Sequence, residues 1–466
     1  MNSLGATILI VLVIVVLGAS KRAALMGMLA GVLYLTQAQQ VDVLGINFFA
    51  IRFLELAGFI RVMARHEFSF RQLNGIDRAL LWLYAFNTVV FMLRSTEGVA
   101  YQVGLGVDAF LCYFTFRGLV GGIDDFQVFL RDFIMLLVPY SLLVVTESMT
   151  GRNFFAALGG MTAGSAWMRH GLPRCFGSFR QPDTLGMFAA SFIPIYIGLA
   201  CIARERKRAL IGICLCSVLV VASNAGGAAS GALMGLLGWL LWRVRTKMRQ
   251  VRWGIVTVIS ALALVMKAPI WYLLARVSEI TGGDGWHRSN LIDISFKHLG
   301  LWWFAGMNLK ETADWFPDGV LVTTGVADIT NQFLYFGFSG GLGAVILFVI
   351  LLSRAYSGLG KALAAVRLTS SKTIETEFIL WGLGVMLLVH IVNWFDITYF
   401  DQMYVIWFLQ LAAISSLSLS CAGEVQSEIN KSESLLGEES CCSNKVQAEP
   451  ETAVIECNGP SLTPMA

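Results

Sequence analysis

The chain has 466 residues, of which 56% are hydrophobic and only 14% are charged, and its mean hydropathy is +0.68. A soluble domain carries about 25% charged residues. This composition therefore excludes a soluble globular protein, a disordered body and a nucleic-acid-binding body. The fold class that we predict is all-α, a polytopic integral membrane bundle.

The net charge of +3 divides into two opposed parts. Residues 421–466 contain eight Glu against two Lys, which gives −6 for this tail and leaves +9 for residues 1–420. Because the tail is rich in Glu, Ser and Asn, we predict that it is disordered and cytoplasmic. Residues 1–420 are predicted to form one polytopic membrane domain. The nine cysteines are scattered and do not indicate a disulfide framework.

A helix needs about 20 mostly apolar residues to cross about 30 Å of hydrocarbon. Thirteen segments come close to this length, and twelve spans is an alternative because the second segment is weak. The predicted spans are 4–20, 24–40, 43–60, 79–94, 99–118, 126–146, 184–202, 209–223, 226–242, 254–273, 333–353, 378–395 and 399–420.

The basic connections between spans predict the orientation of the bundle. Four of them fall on one side when the spans alternate, and the positive-inside rule makes that side cytoplasmic. The N-terminus is then outside, and two long loops, about 147–183 and 274–332, are external. Long loops in a tight bundle usually carry function. The basic connections are 61–78, 204–208, 243–252 and 354–372.

Charged residues inside the predicted spans are costly in lipid and should face the bundle interior. Arg52 and Glu55 are three residues apart on one helix, and we predict that they pair with each other. The full set is Arg52, Glu55, Asp108, Arg131 and Asp132.

The first external loop carries arginines on the side where the positive-inside rule expects few. Arginine offers a fixed fork of donors that matches phosphate oxygens, and it stays protonated at physiological pH. The loop is therefore predicted to bind an anionic ligand at the membrane boundary, with lipid headgroups as the alternative. Its basic residues are Arg152, Arg169, His170, Arg174 and Arg180.

The second external loop contains an amphipathic pattern. Ile292, Phe296, Leu299 and Trp303 recur on one face of a helix, and Ser289 or Asn290 could cap it. We predict a helix on the membrane surface, with Asp293 and Lys297 paired four residues apart. Four tryptophans are predicted as interfacial anchors. They are Trp286, Trp302, Trp303 and Trp315.

His287 and Arg288 lie at the N-terminal end of this predicted helix, where the helix dipole favours an anion. A single histidine is more often a structural hydrogen-bonding group than a base, but His287 has the right chemistry to accept a proton. Asp328 precedes the next span and could accept a proton or bind sugar hydroxyls, with a solvated loop carboxylate as the alternative.

Three motifs in order resemble the O-antigen ligase and O-antigen polymerase family. The run RCFGSFRQPDTLG at 174–186 resembles the family signature RxxGxFxxPxxxA/G. The run GWHR at 285–288, with the helix after it, resembles the family's large external loop. The run TNQFL at 330–334, followed by two glycines and a span, resembles the family's HNxYL…G element. The resemblance covers roughly residues 170–350.

The resemblance implies an enzyme that moves glycan from undecaprenyl pyrophosphate to an acceptor hydroxyl, with no cofactor, nucleotide sugar or essential metal. Arginines of the family engage the pyrophosphate, which implies this role for Arg174 and Arg288, with Arg180 assisting. Thr330 replaces the histidine of the HNxYL element, and a threonine hydroxyl is no base near neutral pH. His287 and Asp328 then remain as the candidate catalytic residues.

The departure at Thr330 favours a polymerase of exopolysaccharide or O-antigen type in a bacterial inner membrane. The alternatives are an O-antigen-type ligase and a transporter of lipid-linked sugars. Transporters usually show inverted repeats and broken helices, and the sequence shows neither clearly. The expected partners are a lipid-linked oligosaccharide, membrane lipids and other proteins of a polysaccharide assembly system, and no nucleic acid.

Overall fold

The computed structural model describes residues 1–43, 46–160, 168–169, 171–281, 283–316, 322–323, 326–368, 373–421 and 423. Helices dominate these residues, and the strands form three short antiparallel hairpins. The predicted disordered tail lies, from residue 424 onward, outside the described residues.

The helices follow the predicted spans closely. They are α1 (Ser3–Gly18), α2 (Lys21–Tyr34), α3 (Ala50–Ala64), α4 (Gly75–Arg94), α5 (Val99–Leu119), α6 (Ile123–Thr150), α7 (Pro182–Ala200), α8 (Arg206–Ser223), α9 (Gly226–Leu240), α10 (Met248–Val265), α11 (Leu273–Thr281), α12 (Gly285–Lys297), α13 (Leu299–Trp302), α14 (Gln332–Val366), α15 (Thr373–Asn393) and α16 (Gln402–Cys421). The strands are β1 (Gln40–Val43), β2 (Ile46–Phe49), β3 (Met168–Arg169), β4 (Leu172–Pro173), β5 (Val322–Thr323) and β6 (Val326–Ala327).

The prediction of an all-α polytopic membrane bundle is confirmed. Within the described residues, eight helices are long and apolar enough to cross a membrane, with Gly226–Val265 counted as one continuous run. Four other predicted spans coincide with α1, α2, α3 and α8, which are shorter or begin with a basic cluster. The number of twelve to thirteen crossings therefore stays a prediction.

The predicted third span, 43–60, is wrong at its start. Residues 40–43 and 46–49 are the paired strands β1 and β2, in which Gln40 pairs with Phe49, and α3 begins only at Ala50. Residues such as Val41 and Phe48 are apolar but β-branched or aromatic, which suits a strand as well as a helix. The two long connections are also more structured than loops, since 274–332 contains α11, α12 and α13.

Small residues let α9 approach its neighbours. A Cβ atom at Gly231 would overlap the Asn393 side chain on α15, and one at Gly235 would lie 3.1 Å from Pro194 on α7. Helices in lipid associate through such close packing rather than through the hydrophobic effect.

The predicted pairing of Arg52 with Glu55 is wrong. The Arg52 guanidinium instead binds the Asp108 carboxylate on α5, with Nε–Oδ1 at 2.9 Å and Nη2–Oδ2 at 2.8 Å. Glu55 is buried, and its Oε2 has no hydrogen-bond partner among the described residues. The bidentate geometry across two helices satisfies the guanidinium fork better than a neighbour on the same helix.

The other two predicted intramembrane charges form ion pairs, but only that of Arg131 has a buried partner, since the Arg22 side chain is 57% exposed. Arg131 lies 3.3 Å from the Glu205 carboxylate, and Asp132 binds the Arg22 guanidinium.

The long helix α14 is broken near its N-terminal end. Gly340 and Gly341 leave the helical conformation, and Gly341 has φ +72° and ψ −172°, which only glycine adopts readily. The segment after α13 bonds to the backbone groups on both sides of this break: Met307 N–H donates to Phe338 O and Leu342 N–H donates to Trp303 O, each at 2.8 Å. The break therefore anchors that segment on the bundle.

The connections between helices fall into two groups, one at each end of the bundle. The members of each group contact one another. The predicted external connections contact one another, as in the hydrogen bond from Asn224 to Arg169 O and the ion pair of Lys310 with Glu97. The predicted internal connections do the same, as in the ion pairs of Arg245 and Arg367 with Glu377. The first group surrounds the site described next.

Candidate functional site

The main cavity lies at the predicted external end and has a volume of about 930 Å³. Its walls come from α4, α5, α12, the start of α14, the connection between α15 and α16, and the segment before α7. Charged side chains gather along one part of the wall, and aromatic side chains such as Tyr101, Tyr335 and Tyr404 line the rest. A cavity with a few convergent polar groups among apolar ones is typical of a ligand site.

Four of the five site residues predicted from the sequence line this cavity. Arg180, His287, Arg288 and Asp328 line it together, although Arg180 precedes the other three by 107 to 148 residues in the chain. Arg174 does not line it. Arg174 is buried, and its Nη2 donates to Asp183 Oδ2 at 2.7 Å. Asp183 itself lines the cavity, so Arg174 supports the wall from behind.

The segment that carries Arg174 and Arg180 is held by a carboxylate from α6. Glu147 accepts hydrogen bonds from the backbone N–H groups of Phe176 and Gly177, both at 2.9 Å. Gly177 has φ +56°, and a Cβ there would overlap the Tyr140 hydroxyl. The glycine of the motif is thus required by backbone conformation and by close packing.

His287 and Arg288 occupy the first turn of α12, as the sequence predicts, but the predicted cap is wrong. Asp284 caps the helix, since its carboxylate accepts from His287 N–H at 3.1 Å. Ser289 lies inside the helix and is buried. The predicted pair of Asp293 with Lys297 is confirmed at 2.8 Å.

Two of the four predicted interfacial anchors are instead core residues. Trp302 and Trp315 are buried against Phe338 of α14, whereas Trp286 and Trp303 are more than half exposed. The residues of α12 that pack into the core are Leu291 and Ile292. The helical period correctly predicted a helix here, but the predicted continuous face is wrong, since α12 ends at Lys297 and α13 begins at Leu299. The period also could not tell a membrane-facing tryptophan from one that packs on α14.

Each of the three predicted arginines forms an ion pair with an aspartate that follows it in the sequence. Besides the Arg174–Asp183 pair, Arg288 Nη1 lies 2.5 Å from Asp396 Oδ1, and Arg288 Nε donates to Asp396 O at 3.1 Å. Arg180 Nε lies 3.1 Å from Asp401 Oδ2, and its guanidinium sits over the Phe400 ring. The pairs fix where each guanidinium points.

Sequence reasoning missed Asp396 and Asp401. Both lie in the short connection between α15 and α16, in the run DITYFD at 396–401. In a chain with so few charges, two carboxylates at the two ends of a six-residue run are a signal that could have identified them.

Arg169 is the cavity-lining arginine that forms no ion pair within the part of the chain that the structure describes. Its pKa is lowered, first by burial and then by the neighbouring Arg174 and Arg288 guanidinium groups, while Asp183 and Asp396 oppose that shift. An anion bound beside Arg169 would favour its charged form further.

Hydrogen bonds join the connection that carries Asp396 to the segment that carries Asp328. Thr398 Oγ1 donates to Ile329 O at 2.6 Å, Tyr399 N–H donates to Gln332 Oε1 at 2.8 Å, and Gln332 N–H donates to Trp394 O at 2.9 Å. These bonds fix the two carboxylates on one framework.

A second buried network holds the same connection from below. His390 of α15 contacts the Tyr399 hydroxyl at 2.6 Å through Nδ1 and the Gln410 amide oxygen through Nε2. The amide oxygen can only accept, so Nε2 carries the proton and Nδ1 accepts from Tyr399. Gln410 in turn donates to Ser191 Oγ at 3.0 Å. His390 is therefore a positioning residue that the sequence did not reveal.

Burial shifts the titration of the groups around His287. The pKa of His287 is lowered, chiefly by burial, while Asp284 and Asp328 oppose that shift. The pKa of Asp328 is raised, again chiefly by burial. Burial also raises the pKa of Asp396 to about 6, against the effect of Arg288. His287 is consequently neutral near pH 7, and its Nε2 has no hydrogen-bond partner among the described residues.

Chemically, the cavity brings together a neutral imidazole, carboxylates and arginines. Among the described residues, no group of three or more His, Cys, Asp or Glu side chains is arranged to hold a metal ion. No known family model matches the sequence, and no curated protein is significantly similar to it.

Proposed function

We propose that this multi-pass membrane protein is a polysaccharide polymerase that transfers a glycan from lipid pyrophosphate to an acceptor sugar hydroxyl. The observation that carries the proposal is that His287, Arg288, Arg180 and Asp328 share one cavity with Arg169, which forms no ion pair among the described residues. A basic group and several guanidinium groups in one cavity are what such a transfer needs.

In the proposed reaction, the arginines bind the pyrophosphate of the lipid-linked donor. Arg288 and Arg180 form ion pairs with Asp396 and Asp401, and Arg169 adds a positive charge that forms no ion pair within the described residues, although Asp183 and Asp396 partly offset it. Negative charge builds up on the phosphate oxygen as the bond to the sugar breaks. Preorganised donors at that oxygen are usually the largest protein contribution to the rate.

The base in the proposed reaction is His287. Its unpartnered Nε2 takes the proton of the acceptor hydroxyl, whose oxygen forms a new bond to the anomeric carbon. The bond from that carbon to the pyrophosphate breaks, and the electron pair leaves with the lipid pyrophosphate. Asp328 and Asp284 stabilise the imidazolium that forms, as their effect on the pKa of His287 indicates.

The protein is further proposed to lie in a bacterial inner membrane, with the cavity facing outward and the C-terminus in the cytoplasm. This orientation rests on the basic connections of the sequence and the positive-inside rule.

The test is transfer by the purified protein supplied with a lipid-linked oligosaccharide. We expect products of increasing glycan length, and we expect His287→Ala and Arg288→Ala to lower the rate at least about a hundredfold, the lower range for a general base. Lys297→Ala is the matched control, since Lys297 lies on the same helix with its side chain 68% exposed.

Other outcomes separate the rival functions. Transfer of a finished glycan to a different lipid, with no increase in length, would make the protein a ligase. Movement of the lipid-linked oligosaccharide across a proteoliposome membrane without any new glycosidic bond would make it a transporter.

A further inference from the structure

A second cavity of about 370 Å³ adjoins the main one. It lies between the turn that joins α4 to α5 and the segment around Asn308. The two cavities share wall residues, so a single layer of side chains separates their contents. The shared residues are Tyr101, Gln102, Leu309 and Tyr335.

Polar atoms without partners gather around this shared wall. Arg94 Nε and Gln102 Nε2 are buried donors with no hydrogen-bond partner among the described residues. Asn87 Oδ1, which lies on the side of the main cavity, is a buried acceptor that also has no partner there. Burying such a group without a partner is unfavourable, so each one requires an explanation. Hydroxyl groups, which both donate and accept, would satisfy all three.

The remaining wall of the second cavity is aromatic and apolar. Phe91, Tyr335 and Phe338 line it, and the Arg94 guanidinium lies 5.0 Å from the centre of the Phe91 ring. Saccharides present apolar C–H faces between hydroxylated edges, and they suit a cavity that is mostly apolar with a few fixed polar groups.

The mouth of the second cavity is polar and faces water. Lys310 Nζ and Glu97 Oε2 are 2.8 Å apart there, and both side chains are about 70% exposed. An isoprenoid or acyl chain would gain nothing from an ion pair at its entrance, whereas a glycan that continues into water would. The mouth therefore favours a saccharide over a lipid tail.

We propose that this second cavity binds the acceptor saccharide and presents its attacking hydroxyl past Gln102 to the main cavity. The inference rests on the proposed function and adds to it a place for the second substrate. Donor and acceptor then occupy separate cavities, with the reaction at their shared wall. Arg94 and Gln102 are residues that bind the acceptor through its hydroxyl groups.

The experiment measures how the transfer rate depends on each substrate separately. The acceptor probe is the lipid-free oligosaccharide released by mild acid from the same lipid-linked substrate. We expect Arg94→Gln to raise the acceptor concentration for half-maximal rate about tenfold, equivalent to about 1.4 kcal/mol, with an unchanged dependence on the donor.

A second variant keeps the test independent of Arg94. Ser95 lines the second cavity, and Ser95→Trp should fill it and raise the same acceptor concentration at least about tenfold. Thr96→Trp is the matched control, because Thr96 is the next residue and is exposed outside the cavity. Gel filtration of each variant checks that it remains folded.

The outcomes separate the two proposals. Product from the wild-type protein together with an unchanged acceptor dependence in folded Ser95→Trp overturns the acceptor site alone. An altered donor dependence in Ser95→Trp instead assigns the cavity to the donor lipid and also overturns it. Absence of any transfer product from the wild-type protein overturns the proposed function and, with it, the acceptor site.

Discussion

At the residue scale, the site is a set of ion pairs around one neutral imidazole. Asp183, Asp396 and Asp401 each hold an arginine, so the guanidinium groups are fixed before any ligand arrives. Positions fixed in advance lower the cost of reorganisation when charge develops. His287 Nε2 is buried without a hydrogen-bond partner among the described residues, so a substrate hydroxyl that reached it would satisfy this atom.

The pH dependence of transfer should report His287. Only the neutral imidazole accepts a proton, and burial lowers its pKa below 6.5. The rate should therefore be constant near neutral pH and fall as the pH drops through that lowered pKa. The rate–pH profile measures this acid limb, and His287→Gln should remove it.

The Asp328 carboxylate affects the pKa of His287, so its removal should shift the acid limb in a predictable direction. Asp328 raises the pKa of His287, so Asp328→Asn should move the acid limb to lower pH. Asp293→Asn, on the same helix but paired with Lys297, is the control and should leave the limb in place. An acid limb that moves to higher pH in Asp328→Asn would contradict the assignment of the limb to His287.

Arg174 should affect stability more than substrate binding. It is buried, and its removal leaves the part-buried Asp183 carboxylate without its partner, which is destabilising. We expect Arg174→Ala to lower the thermal midpoint in detergent, while Arg152→Ala, at an exposed position in the same connection, leaves it unchanged. Lost transfer at an unchanged midpoint would instead show that Arg174 binds the donor, as the family resemblance implies.

At the element scale, the break in α14 is the feature that fixes the external segment. A Cβ at Gly341 would overlap the carbonyl oxygen of Phe304, and its conformation is strained for any other residue. Gly341→Ala should cost at least about 1–3 kcal/mol and lower the thermal midpoint. Gly360→Ala, in open space on the same helix, should instead raise stability by about 0.5–1 kcal/mol. Equal effects of the two substitutions would contradict this account.

Helical segments were predictable because apolar length is a local property of the sequence. The pairs that build the site were not, because each joins residues brought together only by packing. Arg52 shows the difference, since its nearest acidic neighbour in sequence is Glu55 and its partner is Asp108 on another helix. The motif at 174–186 contains Arg180, which lines the cavity, but no local pattern shows that Arg174 lies outside the lining.

At the scale of the whole molecule, the orientation of the bundle can be measured directly. In a variant without native cysteines, Thr96→Cys lies at the predicted external end and Lys361→Cys at the internal end, both at exposed positions. A membrane-impermeant maleimide added to intact cells should label only Thr96→Cys, because the basic connections are retained in the cytoplasm. Labelling of Lys361→Cys alone would invert the orientation.

The two ion pairs that end in the last connection also bear on biogenesis. Arg180 and Arg288 are synthesised well before Asp396 and Asp401, so a ribosome-bound chain that has not yet inserted α15 and α16 has no complete site. Until the final two helices enter the membrane, these arginines lack their carboxylates. Under the proposed function, we therefore expect a protein truncated before α15 to show no transfer, so that the site would be completed only at the last step of insertion.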